Sequence, residues 1–193
     1  QQRGREQRAD WRLAREQFGL LESAAQGADV IVATVTCPAA ATVAHVVGAR
    51  FFWAGYQPQV LPSKTLPPML FAPPWLPSWA WPVSWRLYLG ALAIAVGGVL
   101  DEEREKRGLS TGHGFDELVR AAPWLCAFDE ALSPVPADWD VERHVTGFWF
   151  YDDDAPLSDE LARFLDDGDA PAFVSFGSMP NDDPRATTAA IDE

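Results

Sequence analysis

The chain has 193 residues, 48% of them hydrophobic, and sets 15 lysines and arginines against 28 aspartates and glutamates for a net charge of −13. An apolar fraction of this size can bury a core, which excludes a disordered chain, and the length allows one large domain or a little more. The acidity argues against nucleic acid as a partner, because phosphate contacts need a basic face.

The charge is unevenly placed. From Asp129 onwards there are 17 acidic and 3 basic residues, against 11 acidic and 12 basic in the preceding 128, so a change of structural role is expected near residue 129. Cys37 and Cys126 lie far apart, with no CxxC and no Cys/His cluster; neither a disulfide framework nor a zinc site is indicated, and a reducing cytoplasmic location is the expectation. The opening QQRGREQRADWRLAREQ has no apolar core of a signal peptide. It lacks an initial Met and reads like the middle of a helix, so a longer parent polypeptide is expected.

In chain order, Trp11, Leu13, Ala14, Phe18 and Leu21 recur at helical spacing among Arg and Glu, predicting an amphipathic helix stopped by Gly27. DVIVAT (Asp29 to Thr34) predicts a short strand buried on both faces, as in parallel sheets. Pro38 opens a second helix that Gly48 closes, and ARFFWAG then forms a second strand. Strand, helix, strand is a βαβ unit of an α/β fold, whose ligands bind beyond the carboxyl ends of the strands. The loop GYQPQVLPSKTLPP occupies that position, which marks Gln57, Leu61 and Met69 as candidates for a small-molecule pocket.

The next stretch, LPPMLFAPPWLPSWAWPVSW, combines Trp75, Trp79, Trp81 and Trp85 with six prolines. That proline density predicts an irregular loop or short helical turns. Its indoles fit either packing on the core or an apolar binding wall, with Trp75 as the pocket candidate. From Trp85 to Gly108 the pattern is helical, with Leu87, Tyr88, Ala91, Leu92, Ala95 and Val99 as the expected buried face. Only 14 uncharged residues separate Arg86 from Asp101, about 21 Å of helix against a hydrocarbon core of about 30 Å, so a core helix is expected rather than a membrane span. The neighbouring Trp-rich loop leaves peripheral membrane contact open.

Two more strands are expected in PWLCAF and RHVTGFWF. Ser158 then caps a short helix ending at Gly168, and AFVSFGSM forms a further strand before a nascent helix. Asp167 and Asp169 have the spacing of a metal-binding DxD pair, but among Asp152 to Asp154 and their neighbours they read as a solvated face, and no metal is expected. Asp129, Glu130 and Asp138 have nothing to hold two of them across a glycosidic bond.

Four segments then carry a resemblance: SPVPADWD (133–140), HVTGFWF (144–150), PLSDELARFLDDGDAP (156–171) and FVSFGSM (173–179). In this order and spacing they resemble the interdomain region of family 1 glycosyltransferases of the GT-B fold, close to the bacterial sterol and antibiotic-aglycone glucosyltransferases. DVIVATVTCPAAATVAHVVGARFFWAG is similar to later βαβ units of their acceptor domain.

The resemblance implies a Rossmann-like parallel sheet. Residues 1–150 would belong to the acceptor-binding domain, 151–171 to the linker, and 172–193 to the start of the donor domain. It implies inverting transfer of a hexose from a UDP- or TDP-sugar to a hydroxyl of an apolar acceptor, with no further cofactor and a monomer as the expected state. Gly177, Ser178 and Met179 would form the donor-phosphate loop, where Gly permits close backbone approach. The family's catalytic histidine and its late donor motif have no counterpart, since His45, His113 and His144 all fall elsewhere. The chain alone is therefore expected to be inactive. The rival expectation is a non-catalytic module of the same fold that keeps the apolar pocket.

Overall fold

Short breakers and small residues shape the first half of the computed structural model, which describes residues 14–151, 153, 155–175 and 185. A helix over 14–24 (α1) unwinds before Gly27, at φ 78°, and strand β1 (Val30–Ala33) follows. Pro38 sits at the amino end of α2 (Ala39–Val47), and Gly48 closes it at φ 75°, a left-handed conformation that disfavours a Cβ. Strand β2 (Arg50–Gly55) completes the βαβ unit.

After an irregular crossing, one continuous 29-residue helix runs from Ser78 to Lys106. It opens with a 3₁₀ turn and continues as α3 (Trp81–Leu92), a π-helical segment (Ala93–Gly97) and α4 (Gly98–Lys106). Then come α5 (Phe115–Arg120), β3 (Trp124–Cys126) and β4 (Arg143–Val145). The four strands form one parallel sheet in the order β1-β2-β3-β4, with Trp53 opposite Trp124 and Cys126 opposite Val145. The fold is α/β and Rossmann-like, as expected.

The chain divides into two compact units, Gln1–Phe150 and Tyr151–Glu193. The second contains α6 (Asp159–Asp166), capped as expected by the Ser158 hydroxyl, which accepts the Leu161 N–H at 3.2 Å.

Two tryptophans fasten the helical layer to the sheet. The rings of Trp53 and Trp124 stack with centroids 6.0 Å apart, and both residues are fully buried. Their indole N–H groups donate to carbonyls of α5, Trp53 to Leu118 at 3.4 Å and Trp124 to Val119 at 2.8 Å. Burying an indole with its one donor satisfied adds apolar contact without stranding a polar atom. A second cluster joins Phe18, Ala39, Val43 and Leu100 from α1, α2 and α4. Its rim is ionic: buried Glu103 accepts from Lys106 and Arg107, each at 2.7 Å, while Arg107 also pairs with Glu22 and lies over the Phe18 ring. Hydrogen bonding from Lys106 leads the causes that hold the Glu103 carboxyl below its ordinary range.

Four expectations need correction. Strand β1 is not buried on both faces: it is an edge of the sheet, and Val30 and Val32 on one face are exposed. The proline-rich segment is irregular only to Pro77, because Pro82 lies in the first turn of α3, where a missing N–H breaks no helical bond. The buried stripe of the long helix runs through Trp85, Leu89, Leu92, Val96, Val99 and Leu100, so Leu92 and Val99 face inward as expected while Leu87 is 60% exposed. By length and composition this helix is long and apolar enough to cross a membrane, although one face packs on the core. Finally, residues 172–175 form no strand; the rest of that expected strand, 176–179, lies outside the described residues.

Candidate functional site at the carboxyl ends of the strands

Strand β2 ends where no side chain fits comfortably. A Cβ on Gly55 would meet the Trp124 ring and a Val60 methyl, each at 3.2 Å, so glycine lets the chain leave the sheet over a buried indole. The following loop is then tied to the loop after β3 by one carboxylate. Asp138 accepts the Ser63 hydroxyl at 2.9 Å and the Lys64 backbone N–H at 2.7 Å, and the Ser63 oxygen in turn accepts the Thr65 N–H at 2.9 Å. Partial desolvation pushes the Asp138 carboxyl up, but the donors from Lys64 and Ser63 together outweigh it and hold it below the usual carboxylate range.

Beside this tie lies a cleft of about 330 Å³, lined among others by Ser63, Lys64, Trp85, Arg86 and Asp138. The Trp85 indole is buried and donates to the Leu66 carbonyl at 2.9 Å, which holds the loop against α3. The side-chain cations of Lys64 and Arg86 have no ion-pair partner among the described residues. The cleft therefore sets these two cations beside the Asp138 carboxylate and the Asp116–Arg120 pair, with Trp85 and Leu89 as its apolar wall.

An aromatic rim stands next to β2 and β4. Tyr56, the first residue after β2, meets Trp149 edge to face at 5.8 Å. Trp149 is positioned by its own segment: its indole N–H donates to the Thr146 hydroxyl at 2.8 Å, that hydroxyl donates to the Cys126 carbonyl at 3.2 Å, and Gly147 makes the turn at φ 69°. Phe71 adopts a left-handed φ of 64°, rare for a non-glycine residue, and the Ser84 hydroxyl donates to its carbonyl. Its ring lies 6.3 Å from that of Tyr88.

The candidates named from the sequence separate into three groups. Gln57 and Met69 come together, with the amide Nε2 3.9 Å from the thioether sulfur. Trp75 is on the surface, 79% exposed, as is Trp79 at 80%. Leu61 is a core residue, 1% exposed against Trp53 and Trp124, so it supports the loop from below. Gly177, Ser178 and Met179 lie outside the described residues.

Sequence reasoning missed Tyr56, Phe71, Asp138 and Trp149 as site-building residues. Position immediately after a strand signals Tyr56, and the HVTGFWF motif contains Trp149; the role of Asp138 depends on two loops meeting in space. Asp129 is occupied with a turn, accepting the Ala131 N–H at 2.7 Å. Among the described residues, no three His, Cys, Asp or Glu side chains gather as a metal site.

The chain is 34% identical over 183 residues to the vancomycin aglycone glucosyltransferase of Amycolatopsis orientalis, an alignment covering 91% of this chain and 44% of that protein. It belongs with the family 1 glycosyltransferases. The dTDP-epi-vancosaminyltransferase of the same organism is 32% identical over 168 residues, covering 84% of this chain and 38% of that protein. The sterol 3-beta-glucosyltransferase of Leptosphaeria maculans is 25% identical over 191 residues, 87% of this chain and 12% of that protein. No protein-family model matches. The chain thus spans less than half the length of these glycosyltransferases.

Proposed function

We propose that this chain forms acceptor-binding surface of a glycosyltransferase that moves a hexose from a UDP- or TDP-sugar to a hydroxyl of an apolar acceptor, a sterol, macrolide or polyphenol. The observation that carries the reading is the rim of Tyr56, Gln57, Met69 and Trp149 beside the carboxyl ends of β2 and β4, where α/β sheets bind ligands. The relatives' names support it, since two of them act on an aglycone or a sterol. In this reading the acceptor oxygen attacks the anomeric carbon, the C–O bond to the nucleoside diphosphate breaks, and the configuration inverts. None of His45, His113 and His144 belongs to the loops that follow β1, β2 or β3, so the proton acceptor is assigned to a part of the transferase outside this chain. Gly177 to Met179 remain the proposed contact to the donor phosphates. Cys37 and Cys126 are both free thiols, which suits the cytoplasm.

Calorimetric titration of the chain with a sterol and with a glycopeptide aglycone tests the acceptor surface. Saturable binding, weakened at least several-fold by Tyr56→Ala or Met69→Ala, is expected. Failure of every hydroxylated apolar compound to bind would overturn the reading. Assay of the whole transferase with nucleotide sugars then separates an enzyme from a binding module.

A further inference from the structure

We propose that the helical layer holds a second binding pocket, for a one- or two-ring aromatic molecule carrying a hydrogen-bond donor. A cavity of about 190 Å³ lies between α2, the long helix and α5, and no loop following a strand contributes to it. It is thus separate from the cleft and rim described above.

Its floor is apolar and built from small side chains. Ala93 and Gly97, the two ends of the π-helical segment, line it together with Leu100 and Leu118. A π segment widens one turn of a helix and recurs at functional sites; here its two end residues are the smallest available, which leaves room beside them. A Cβ on Gly97 would meet nothing within 4 Å. An apolar cavity of about 150 Å³ accepts benzene, so this volume suits one or two rings.

The polar edge of the pocket selects the second half of the ligand. His113 is engaged at both ring nitrogens, by the Ser110 hydroxyl at 2.9 Å and by Glu117 at 2.7 Å. Arg104 donates to the Ser110 carbonyl at 2.7 Å and to the Thr42 hydroxyl at 3.3 Å. Asp101 accepts the Gly112 N–H through one carboxylate oxygen at 2.9 Å, and its other oxygen has no partner among the described residues. Glu117 is turned to solvent, whereas Asp101 is partly buried. The edge therefore offers a free acceptor at Asp101 beside the remaining N–H groups of Arg104, and a ligand donor such as a phenolic O–H or indole N–H bonds to the Asp101 oxygen.

The test is titration of the ¹⁵N-labelled chain with indole, and with toluene as the analogue lacking a donor, reading the amide signals of Gly97 and Gly112. Indole is expected to shift both in a saturable way and to bind about tenfold more tightly than toluene, the usual effect of one hydrogen bond to a charged group. Asp101→Asn, which keeps an acceptor for the Gly112 N–H, should remove that preference while leaving toluene binding in place. Gly97→Leu fills the cavity and should abolish binding of both; Ala121→Leu does the same from another wall and carries the test if the first variant does not fold. Absence of saturation with indole up to about 10 mM, or shifts that survive both filled variants, would overturn the pocket. Equal affinity for indole and toluene would overturn the role of Asp101.

Discussion

Removing the Asp138 carboxylate should loosen the loop that follows β2 and do so in a pH-dependent way. Asp138→Ala deletes two acceptors at once, one for the Ser63 hydroxyl and one for the Lys64 N–H. Hydrogen bonds to an ionised group contribute about 1.5–3 kcal/mol each when buried, but Asp138 is exposed and water replaces part of that, leaving about 2 kcal/mol for the pair. With a urea slope of about 2 kcal/mol per molar, the midpoint should fall by about 1 M. Tryptophan fluorescence is a clean readout, because every tryptophan precedes Tyr151 and reports on the Gln1–Phe150 unit. The folded carboxyl titrates below its ordinary value. The stabilisation is therefore fully present above the unfolded pKa of about 3.9 and disappears as pH falls through the lower folded value. Wild type and variant should differ at pH 7 and converge in acid. An equal difference at pH 7 and at pH 2.5 would show that the tie is not electrostatic, and no difference at pH 7 would show that Asp138 ties nothing.

Other perturbations probe the supports of the site. Gly55→Ala forces a Cβ against the Trp124 ring and Val60 and should destabilise by about 1 kcal/mol in the same denaturation assay, with Gly55→Val clearly worse. Glu103→Ala removes the buried carboxylate shared by Lys106 and Arg107 and should cost about 1–2 kcal/mol, less than breaking an isolated buried pair because Arg107 keeps Glu22 and half-exposed Lys106 keeps Glu102. Leu100→Ala should cost about 2–4 kcal/mol, whereas Leu87→Ala on the outward stripe should stay within about 0.5 kcal/mol. With a thiol reagent, Cys126 should be inert in the native protein and Cys37 slow, its rate rising with pH, because burial raises both thiols above their ordinary values.

The features legible in the sequence are those set by one or two neighbouring residues. Pro38 and Gly48 bracket α2, and Ser158 caps α6, because backbone dihedrals and a side-chain acceptor act locally. The phase of the long helix was legible only in part, at Leu92 and Val99 but not at Leu87, for a specific reason: between Lys64 and Asp101 the only charged residue is Arg86. Periodicity identifies a buried face by contrast with a polar one. Here the stripe Val83, Leu87 and Ile94 is as apolar as the stripe Leu89, Leu92 and Val96, so only packing against Trp53 and Trp124 decides between them. Strand β1 misled in the opposite sense, since an all-apolar run cannot distinguish a central strand from an edge.

The same distinction separates the two halves of the candidate site. That Gln57 and Met69 belong to a loop at the carboxyl edge of the sheet could be read from their position after a parallel strand, whatever the loop's own conformation, and their acceptor role rests on the proposal above. Leu61, in that same loop, points the other way because Trp53 and Trp124 leave a space that a loop side chain must fill. Trp149 reaches Tyr56 through a chain of local devices, the Gly147 turn and the Thr146 hydroxyl, that acquire a purpose only once β4 is aligned beside β3. The aromatic rim is therefore a product of register: a shift of β4 by one residue would turn Thr146 away from the Cys126 carbonyl and carry Trp149 off Tyr56. Thr146→Val, which keeps the shape but removes the hydroxyl's bonds to Cys126, Gly147 and Trp149, should lower acceptor affinity while leaving the stability of the sheet nearly unchanged, and a loss of stability without loss of binding would show that Thr146 serves the sheet instead.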